Sequence, residues 1–229
     1  MSAEELAIVW LSLKVAGVSV LVSLPLALGC AWLLARTQFI GKTLFDALVH
    51  LPLVLPPVVI GYALLLLFGP SGWLGAPLEG WFGVRFAFRW TGAALAAAVM
   101  GFPLMVRAMR LGIEAVPREI EAVARTLGAS PWRVWWSVTL PLALPGVAVG
   151  ATLAFARALG EFGATITFVS NIPGETQTLP LAIYGLTQTP GGEVAILKLC
   201  ALSVALSITA LAASEWFDRR AKQAAERSV

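Results

Sequence analysis

Apolar residues in this chain of 229 residues gather into long runs, and short polar segments separate the runs. A helix needs about 20 predominantly apolar residues to cross a bilayer. Five runs reach or approach that length, and they cover residues 8–35, 44–68, 91–109, 138–159 and 195–216. The pattern therefore predicts an all-α membrane protein with about five transmembrane helices.

The composition agrees with that class. Hydrophobic residues make up 59% of the chain and charged residues 13%, whereas a soluble domain carries about 25% charged residues. The length fits a single transmembrane domain over residues 1–229. The net charge of +3 does not indicate nucleic-acid binding, because the basic residues lie at loop edges between apolar runs.

Most lysine and arginine residues fall on one side of such a five-helix chain, which predicts its orientation. Eleven of the sixteen are on that side. They are Arg36, Lys42, Arg107, Arg110, Arg118, Arg125, Arg133, Arg219, Arg220, Lys222 and Arg227. We expect residues 114–137 and the C-terminus to be cytoplasmic and the N-terminus to be outside. Glu4 and Glu5 make the start acidic, unlike a cleaved signal peptide, so we expect the first run to be retained.

Residues that could carry catalytic or metal chemistry are sparse. The single His50 lies near Asp46, and neither they nor Glu161 shows the nucleophile–base spacing of an intramembrane hydrolase. Cys30 and Cys200 fall in apolar runs and are typical of small buried side chains. The sequence has no G-x-x-x-x-G-K-[ST] pattern for nucleotide phosphates. We expect no enzyme activity, metal or bound cofactor on this chain.

Residues 114–137 form a polar segment with several arginines between the third and fourth apolar runs. Its helix signals are, in order, Pro117, Glu119, Glu121, Gly128, Ser130 and Pro131. A proline and acidic residues favour a helix start, and Gly128 suits a left-handed helix end. Ser130 followed by Pro131 is typical of a second helix start. The segment therefore predicts a short helix, a sharp turn and a second helix that enters the membrane.

The same segment resembles the EAA loop of permease subunits from binding-protein-dependent ABC importers. The glycine, the hydrophobic residue and the Leu-Pro pair of that pattern fall at Gly128, Val138, Leu140 and Pro141. The triplet departs from it, because residues 122–124 are Ala-Val-Ala and the acid is displaced to Glu121.

This resemblance implies the type I ABC importer permease fold, with a cytoplasmic coupling helix that sits in a groove of a separate ATPase subunit. The implied ATPase-coupling residues are Glu121, Ala122, Ala124, Gly128, Ala129, Pro131, Trp132, Leu140 and Pro141. An ordinary amphipathic helix at the membrane interface is the alternative interpretation.

Prolines interrupt the second apolar run at Pro52, Pro56 and Pro57. A proline removes a backbone donor, so we expect this span to break or kink. Unwound carbonyls facing a cavity are one interpretation, with Pro56 and Pro57 as candidate pathway residues. The other is a kink that only shapes the packing.

Residues 157–180 carry the other candidate pathway residues. Arg157 and Glu161 are neighbours on one helix face, so they form either a functional pair at membrane depth or a structural pair that fixes a helix end. Neutral donors that replace water around an oxyanion without trapping it follow along the chain. They are Thr165, Thr167, Ser170 and Asn171.

Residues 160–180, GEFGATITFVSNIPGETQTLP, resemble the corresponding stretch of bacterial molybdate permeases, as do residues 51–62, LPLVLPPVVIGY. The resemblance implies the transmembrane subunit of an ATP-driven molybdate importer in the bacterial inner membrane, which works by alternating access. The implied partners are a second permease copy, membrane lipid, two ATPase subunits that bind ATP and Mg, and a periplasmic molybdate-binding protein. A sulfate, thiosulfate or tungstate permease is the alternative.

Overall fold

The computed structural model describes the backbone of residues 2–226 and the side chains of residues 2–210 and 212. These residues form helices and no strand. The helices are α1 (Ala3–Arg36), α2 (Lys42–Val54), α3 (Pro57–Phe68), α4 (Gly75–Phe82), α5 (Trp90–Glu114), α6 (Arg118–Thr126), α7 (Pro131–Val134), a π-helical turn (Trp135–Thr139), α8 (Leu140–Leu159), α9 (Gly163–Val169), α10 (Leu179–Thr187) and α11 (Glu193–Glu226). Arg227, one of the basic residues of the tail, lies outside the described residues.

Four of the five predicted spans are single long helices. Helices α1, α5 and α11 each cover one apolar run, and α7, the π-helical turn and α8 join into one helix, Pro131–Leu159. The second apolar run is divided between α2 and α3, which together are long and apolar enough for one bent span. The predicted all-α class with about five transmembrane helices is therefore confirmed.

The second apolar run is broken, as its prolines predict. Helices α2 and α3 meet at an angle of 110°. Pro56 and Pro57 have no N–H, so the carbonyls of Pro52 and Leu53 lose their helical donors. Leu55 and Pro56 each precede a proline and adopt extended backbone, with ψ angles of 143° and 134°. The chain therefore turns sharply between the two helices.

Direct backbone contact joins α5 to α8 at the centre of the fold. A Cβ atom built on Gly146 would lie 2.6 Å from the Cα atom of Gly112, so only glycine allows this approach. Helix α1 packs on the same pair, and its Ala27, Ala31 and Leu34 are fully buried there. These three helices form the core that carries the other elements.

Two elements contribute little to this core. Helix α2 has no buried residue. In the apolar stretch of α11, within Glu193–Ala210, only 6% of the residues are buried. Their apolar surfaces are therefore available to lipid or to another protein chain.

Polar contacts mark the two ends of the helical bundle. At one end, Arg110 of α5 lies 3.1 Å from Asp46 of α2. At the other end, the ammonium group of Lys14 in α1 lies 3.6 Å from the ring centroid of Trp90 at the start of α5. Helices α6 and α7 follow the Arg110 end of α5, so they lie at the opposite end of the bundle from the start of α1.

Candidate functional site

The segment between α5 and α8 contains the predicted pair of short helices. Pro117 has extended backbone and precedes the first helix, so α6 begins at Arg118, one residue later than the sequence pattern indicates. The acidic side chains of Glu119 and Glu121 lie in its first turn, where they face the positive end of the helix dipole.

Gly128 ends α6 in a left-handed conformation, as predicted. Its φ angle is +87°. The N–H of Ala129 donates to the carbonyl of Ala124 at 3.1 Å, and the N–H of Gly128 donates to that of Arg125 at 2.9 Å. This pair of bonds is a Schellman motif, which satisfies carbonyls that the helix end leaves free. The turn after α6 therefore has one defined geometry.

The second short helix continues directly into the membrane. The Ser130 hydroxyl accepts the N–H of Arg133 at 3.3 Å, and Pro131 occupies the first helical position. From Pro131 the helix runs unbroken through the π-helical turn to Leu159. One continuous helix therefore leads from the turn after Gly128 into the core.

Glu121 points into the protein and ties α6 to two other helices. Its side chain is only 6% exposed, and its Oε1 atom lies 2.9 Å from Nη2 of Arg36 at the end of α1. The hydroxyl of Thr139 donates to the same oxygen at 2.8 Å. Arg36 also donates to the carbonyl of Val116 at 3.0 Å. We call Arg36, Glu121 and Thr139 the clasp, because they hold α6 against α1 and the start of α8.

The exposed surface of α6 is apolar along one strip. Ile120, Val123 and Leu127 are 46%, 58% and 82% exposed, although the helix around them is polar and charged. Residues at this spacing lie on one face of a helix, and exposed apolar patches of this kind mark interaction surfaces. We call these three residues the outer strip. The sequence analysis did not select these three residues, although their helical spacing can be read directly from the sequence around Glu121.

The other predicted coupling residues divide into two groups. Near the turn, Ala122, Gly128, Pro131 and Trp132 are exposed, and Ala124 and Ala129 are partly buried. Leu140 and Pro141 lie beyond the π-helical turn in α8, where Leu140 packs against the core. The first group therefore lies in α6, in the turn after it and in α7, whereas Leu140 and Pro141 lie farther along the chain in α8.

The predicted Arg157–Glu161 pair is formed and stabilises a helix start. Nη1 of Arg157 lies 2.6 Å from Oε2 of Glu161, whose side chain is 1% exposed. Oε1 of Glu161 accepts the N–H of Ala164 at 2.9 Å, in the first turn of α9. This geometry agrees with the interpretation of a structural pair that fixes a helix end.

Hydrogen bonds to the backbone occupy most of the predicted oxyanion donors. Thr165 donates to the carbonyl of Phe162 at 2.8 Å, and Thr167 donates to that of Gly163 at 2.9 Å. The Nδ2 atom of Asn171 donates to the carbonyl of Leu181 at 3.1 Å. The protons in these three hydrogen bonds are therefore bound to backbone carbonyls and cannot also bind an anion in this conformation.

Ser170 differs from the other predicted donors. It is exposed, and its φ angle is +62°, a left-handed conformation that is uncommon outside glycine. Strained backbone of this kind often occurs at functional sites.

The broken span and α9 pack backbone to backbone. A Cβ atom on Gly163 would lie 2.7 Å from Cβ of Pro57, and one on Gly61 would lie 2.5 Å from the carbonyl oxygen of Ala164. Pro56 is exposed beside this contact and Pro57 is partly buried in it. The two predicted groups of pathway residues, distant in the sequence, are thus neighbours in the fold.

His50 lies beside Asp46 on α2. Its Nδ1 atom is 2.9 Å from the backbone carbonyl oxygen of Asp46 and 3.1 Å from Oδ1, and the other carboxylate oxygen lies 3.1 Å from Arg110. No group of three potential metal ligands occurs among the described residues.

Residues 23–223 match the protein family described as binding-protein-dependent transport system inner membrane component. The chain is 59% identical to the molybdenum transport system permease protein ModB of Escherichia coli (strain K12) over 219 residues, 96% of each chain. It is 56% identical to the Haemophilus influenzae protein of the same name over 216 residues, 94% of each chain. The sulfate transport system permease protein CysW of Synechococcus elongatus is 38% identical over 197 residues, which cover 85% of this chain and 68% of CysW.

Two solved structures of ABC transporters have a similar fold. A chain of the bacterial transporter that imports the acidic polysaccharide alginate matches with a TM-score of 0.75 and 17% identity, over 96% of this chain and 80% of that one. A chain of the inward-facing MetNI methionine transporter matches with a TM-score of 0.72 and 18% identity, over 96% and 99% of the two chains. At such identities the likeness concerns the fold alone.

Proposed function

Because the chain belongs to the family of binding-protein-dependent transport system inner membrane components, we propose that it is the transmembrane subunit of an ATP-driven molybdate importer. It is a multi-pass protein of the inner membrane with the predicted type I ABC importer permease fold. The observation that carries the choice of molybdate is the 59% identity to a molybdenum permease over 96% of each chain. Sulfate is the less supported alternative, since the CysW relative is 38% identical.

The importer contains further subunits. Two copies of this chain form the membrane part, two ATPase subunits bind ATP and Mg below it, and a periplasmic protein delivers molybdate from above. The related folds come from an alginate importer and from the MetNI methionine importer, which supports partners of these kinds. The chain itself is not an enzyme in this assembly.

The outer strip supplies the docking surface for the ATPase. Ile120, Val123 and Leu127 present an apolar helix face, and a helix laid into a groove is a common mode of protein recognition. ATP-driven closure of the ATPase subunits would then displace α6.

The clasp converts movement of α6 into movement of the membrane helices. Glu121 binds Arg36 of α1 and Thr139 at the start of α8, so α6 cannot shift alone without separating a buried ion pair. The continuous helix Pro131–Leu159 transmits the same displacement along α8. In this proposal Glu121 acts from inside the permease as a positioning residue, and it does not touch the ATPase.

The pathway lies between the two copies, beside the broken span and α9. Pro56 and Pro57 shape the break, and the exposed Ser170 offers a hydroxyl for the oxyanion. Arg157 is 29% exposed, but Glu161 neutralises its charge at 2.6 Å. A neutralised cation attracts a dianion weakly enough to release it, as conduction requires. Thr165, Thr167 and Asn171 stabilise the backbone of α9 and of the segment after it through their hydrogen bonds to backbone carbonyls.

Anion uptake tests the assignment. The chain is expressed with its ATPase and binding protein in a strain that lacks other molybdate and sulfate permeases, and uptake of labelled molybdate is measured. We expect ATP-dependent uptake that excess unlabelled molybdate abolishes and equal sulfate leaves largely intact. Sulfate that competes as well as molybdate would instead support the sulfate alternative. No uptake beyond a strain with an ATPase-inactive partner would contradict the proposed function.

A further inference from the structure

A groove of about 910 Å³ runs beside the inner half of α1 and is separate from the pathway residues. We call it the inner groove. One wall is α1, and the other walls are α6, α7 and the π-helical turn. Residues that define it are Pro25, Gly29, Trp32, Arg118, Trp132 and Trp136.

The apolar part of the inner groove has the depth of one membrane leaflet. Pro25 and Arg36 are eleven positions apart on α1, which corresponds to about 16 Å along a helix. The hydrocarbon core of a bilayer is about 30 Å thick, so this distance is close to half of it. A groove of that length accommodates an acyl chain.

Aromatic side chains surround the mouth of this groove. The rings of Trp32 and Trp135 are 6.2 Å apart, and those of Trp132 and Trp136 are 5.6 Å apart. Tryptophan is enriched at the level of lipid headgroups, where its ring faces hydrocarbon and its N–H faces water. The groove thus changes from apolar to interfacial at its α6 end.

Positive charge dominates the same end. Arg36, Arg118 and Arg125 line it, and Glu121 is the one carboxylate among its described lining residues. Glu121 lies 2.9 Å from Arg36 and 3.6 Å from Arg125, so three cations share one carboxylate and Arg118 has no ion-pair partner among the described residues. Arginine side chains bind phosphate oxygens through charge-assisted hydrogen bonds. The end of the groove is therefore suited to a phosphate group.

We propose that the inner groove binds an anionic phospholipid of the cytoplasmic leaflet. One acyl chain lies along α1 past Gly29, and the phosphate lies between Arg118 and Arg125. The cytoplasmic side follows from the proposed function, which places α6 there. Anionic lipids concentrate in that leaflet and bind in basic pockets between transmembrane helices. The bound lipid joins α1 to α6 on the outside of the clasp.

A lipid fits this groove better than the ATPase does. The groove reaches from α6 to Pro25, eleven residues inside the Arg36 end of α1 and within its apolar run, where a soluble subunit cannot follow. The outer strip, which we assign to the ATPase, does not line it. Docking of the ATPase and binding of a lipid therefore use different surfaces of α6.

Two substitutions test the two ends of the groove. Gly29 lines the groove and no atom lies within 4 Å of a Cβ built on it, so Gly29→Phe introduces a ring into the acyl part. Arg118→Gln removes charge at the phosphate end and leaves the clasp intact. The matched controls are Gly17→Phe, at an equally open glycine of α1 outside the groove, and Arg133→Gln, an exposed arginine that does not line it.

The experiment uses the purified complex of permease and ATPase in nanodiscs of equal parts phosphatidylglycerol and phosphatidylethanolamine. Lipids that remain bound after transfer to detergent are counted by native mass spectrometry. We expect the wild type and both controls to retain phosphatidylglycerol in preference. Arg118→Gln should lower the retained ratio of the two lipids by on the order of tenfold, as the loss of one charge-assisted contact predicts. Gly29→Phe should abolish retention at this site.

Equal retention of both lipids by the wild type, or equal loss in the groove variants and their controls, would overturn the proposal. So would a Gly29→Phe variant that retains its lipid but no longer dimerises, because a second copy would then fill the groove. If one groove variant fails to assemble, the other still tests the opposite end. Molybdate uptake is measured in parallel: a complex that binds the lipid but imports no molybdate contradicts the proposed function alone.

Discussion

A carboxylate at Glu121 holds together three helices that are distant in the sequence. It pairs with Arg36 of α1 and accepts a hydrogen bond from Thr139, which leads into α8. Breaking a buried ion pair by removal of one partner costs about 3–5 kcal/mol, since the remaining charge stays in a poorly solvated place. We therefore expect single substitutions in the clasp to lower the stability of the fold.

Removal of either charge in the clasp should lower the stability of the purified complex. For Glu121→Ala we expect a loss of about 3–5 kcal/mol, because Arg36 is left without its partner. Arg36→Ala should cost a similar amount, and the double variant should cost less than the sum. Thermal unfolding in detergent measures these changes, with the exposed Glu119→Ala in the same helical turn as the control. A double variant that is strictly additive would show that the two residues do not interact.

The turn at Gly128 should tolerate asparagine far better than valine. Its φ angle is +87°, and no atom lies within 4 Å of a Cβ built on it, so the backbone and not the space restricts the residue. A left-handed conformation costs an ordinary L-residue roughly 1–2 kcal/mol, and asparagine less. We expect Gly128→Val to weaken co-purification of the ATPase and Gly128→Asn to retain most of it. Equal retention by the two variants would argue against a strained turn at this position.

At the scale of elements, α6 has one face that packs against the protein and one face that is exposed. The inward face carries Glu121, and the outward face carries the outer strip. Because the strip is exposed, polar substitutions there should leave the fold of the permease unchanged. The two faces can therefore be tested separately.

Polar substitution in the outer strip should weaken ATPase binding without a loss of permease stability. Truncation of a well-packed interface residue costs more than about 1 kcal/mol, so Val123→Ser and Leu127→Ser should each raise the dissociation constant several-fold or more. Binding of purified ATPase to the permease in nanodiscs measures the change. Thr126→Ala, an exposed position of the same helix outside the strip, is the control. Unchanged affinity in both strip variants would remove this face from the proposed interface.

Local signals in the sequence predicted most elements but few of the contacts between them. The proline run predicted the break between α2 and α3, and Gly128, Ser130 and Pro131 predicted the turn after α6. These features depend on backbone chemistry of adjacent residues. The direction of each helix face depends instead on distant partners: Arg36 is needed to turn Glu121 inward, and nothing near Glu121 in the sequence indicates it. The spacing of the outer strip is present in the sequence, but which face of α6 is exposed depends on this distant contact.

At the scale of the whole molecule, one chain leaves large apolar surfaces uncovered. Helix α2 has no buried residue, and only 6% of the residues in the apolar stretch of α11 are buried. A second copy and the surrounding lipid cover these surfaces in the proposed importer. In that proposal the candidate pathway residues beside the broken span face the second copy.

Labelling from each side of the membrane tests the arrangement of the whole chain. Trp132→Cys and Trp81→Cys place thiols at tryptophans that are 69% and 80% exposed, in a background where Cys30 and Cys200 are replaced by alanine. An impermeant maleimide applied to intact cells should label the cysteine that replaces Trp81 and spare the one that replaces Trp132. Inside-out vesicles should give the reverse. Labelling of both from one side would contradict the topology and, with it, the coupling role of α6.

The contact between α3 and α9 has a consequence for how the chain is made. A ribosome completes α3 long before it reaches α9, so Gly61 is synthesised without the backbone of Ala164 to pack against. The carbonyls freed by Pro56 and Pro57 are poorly tolerated in hydrocarbon until protein covers them. We therefore expect the packing of the second span to be completed only after residue 169 has been synthesised. A nascent chain stopped before α9 should leave α3 open to protease, and extension beyond α9 should protect it.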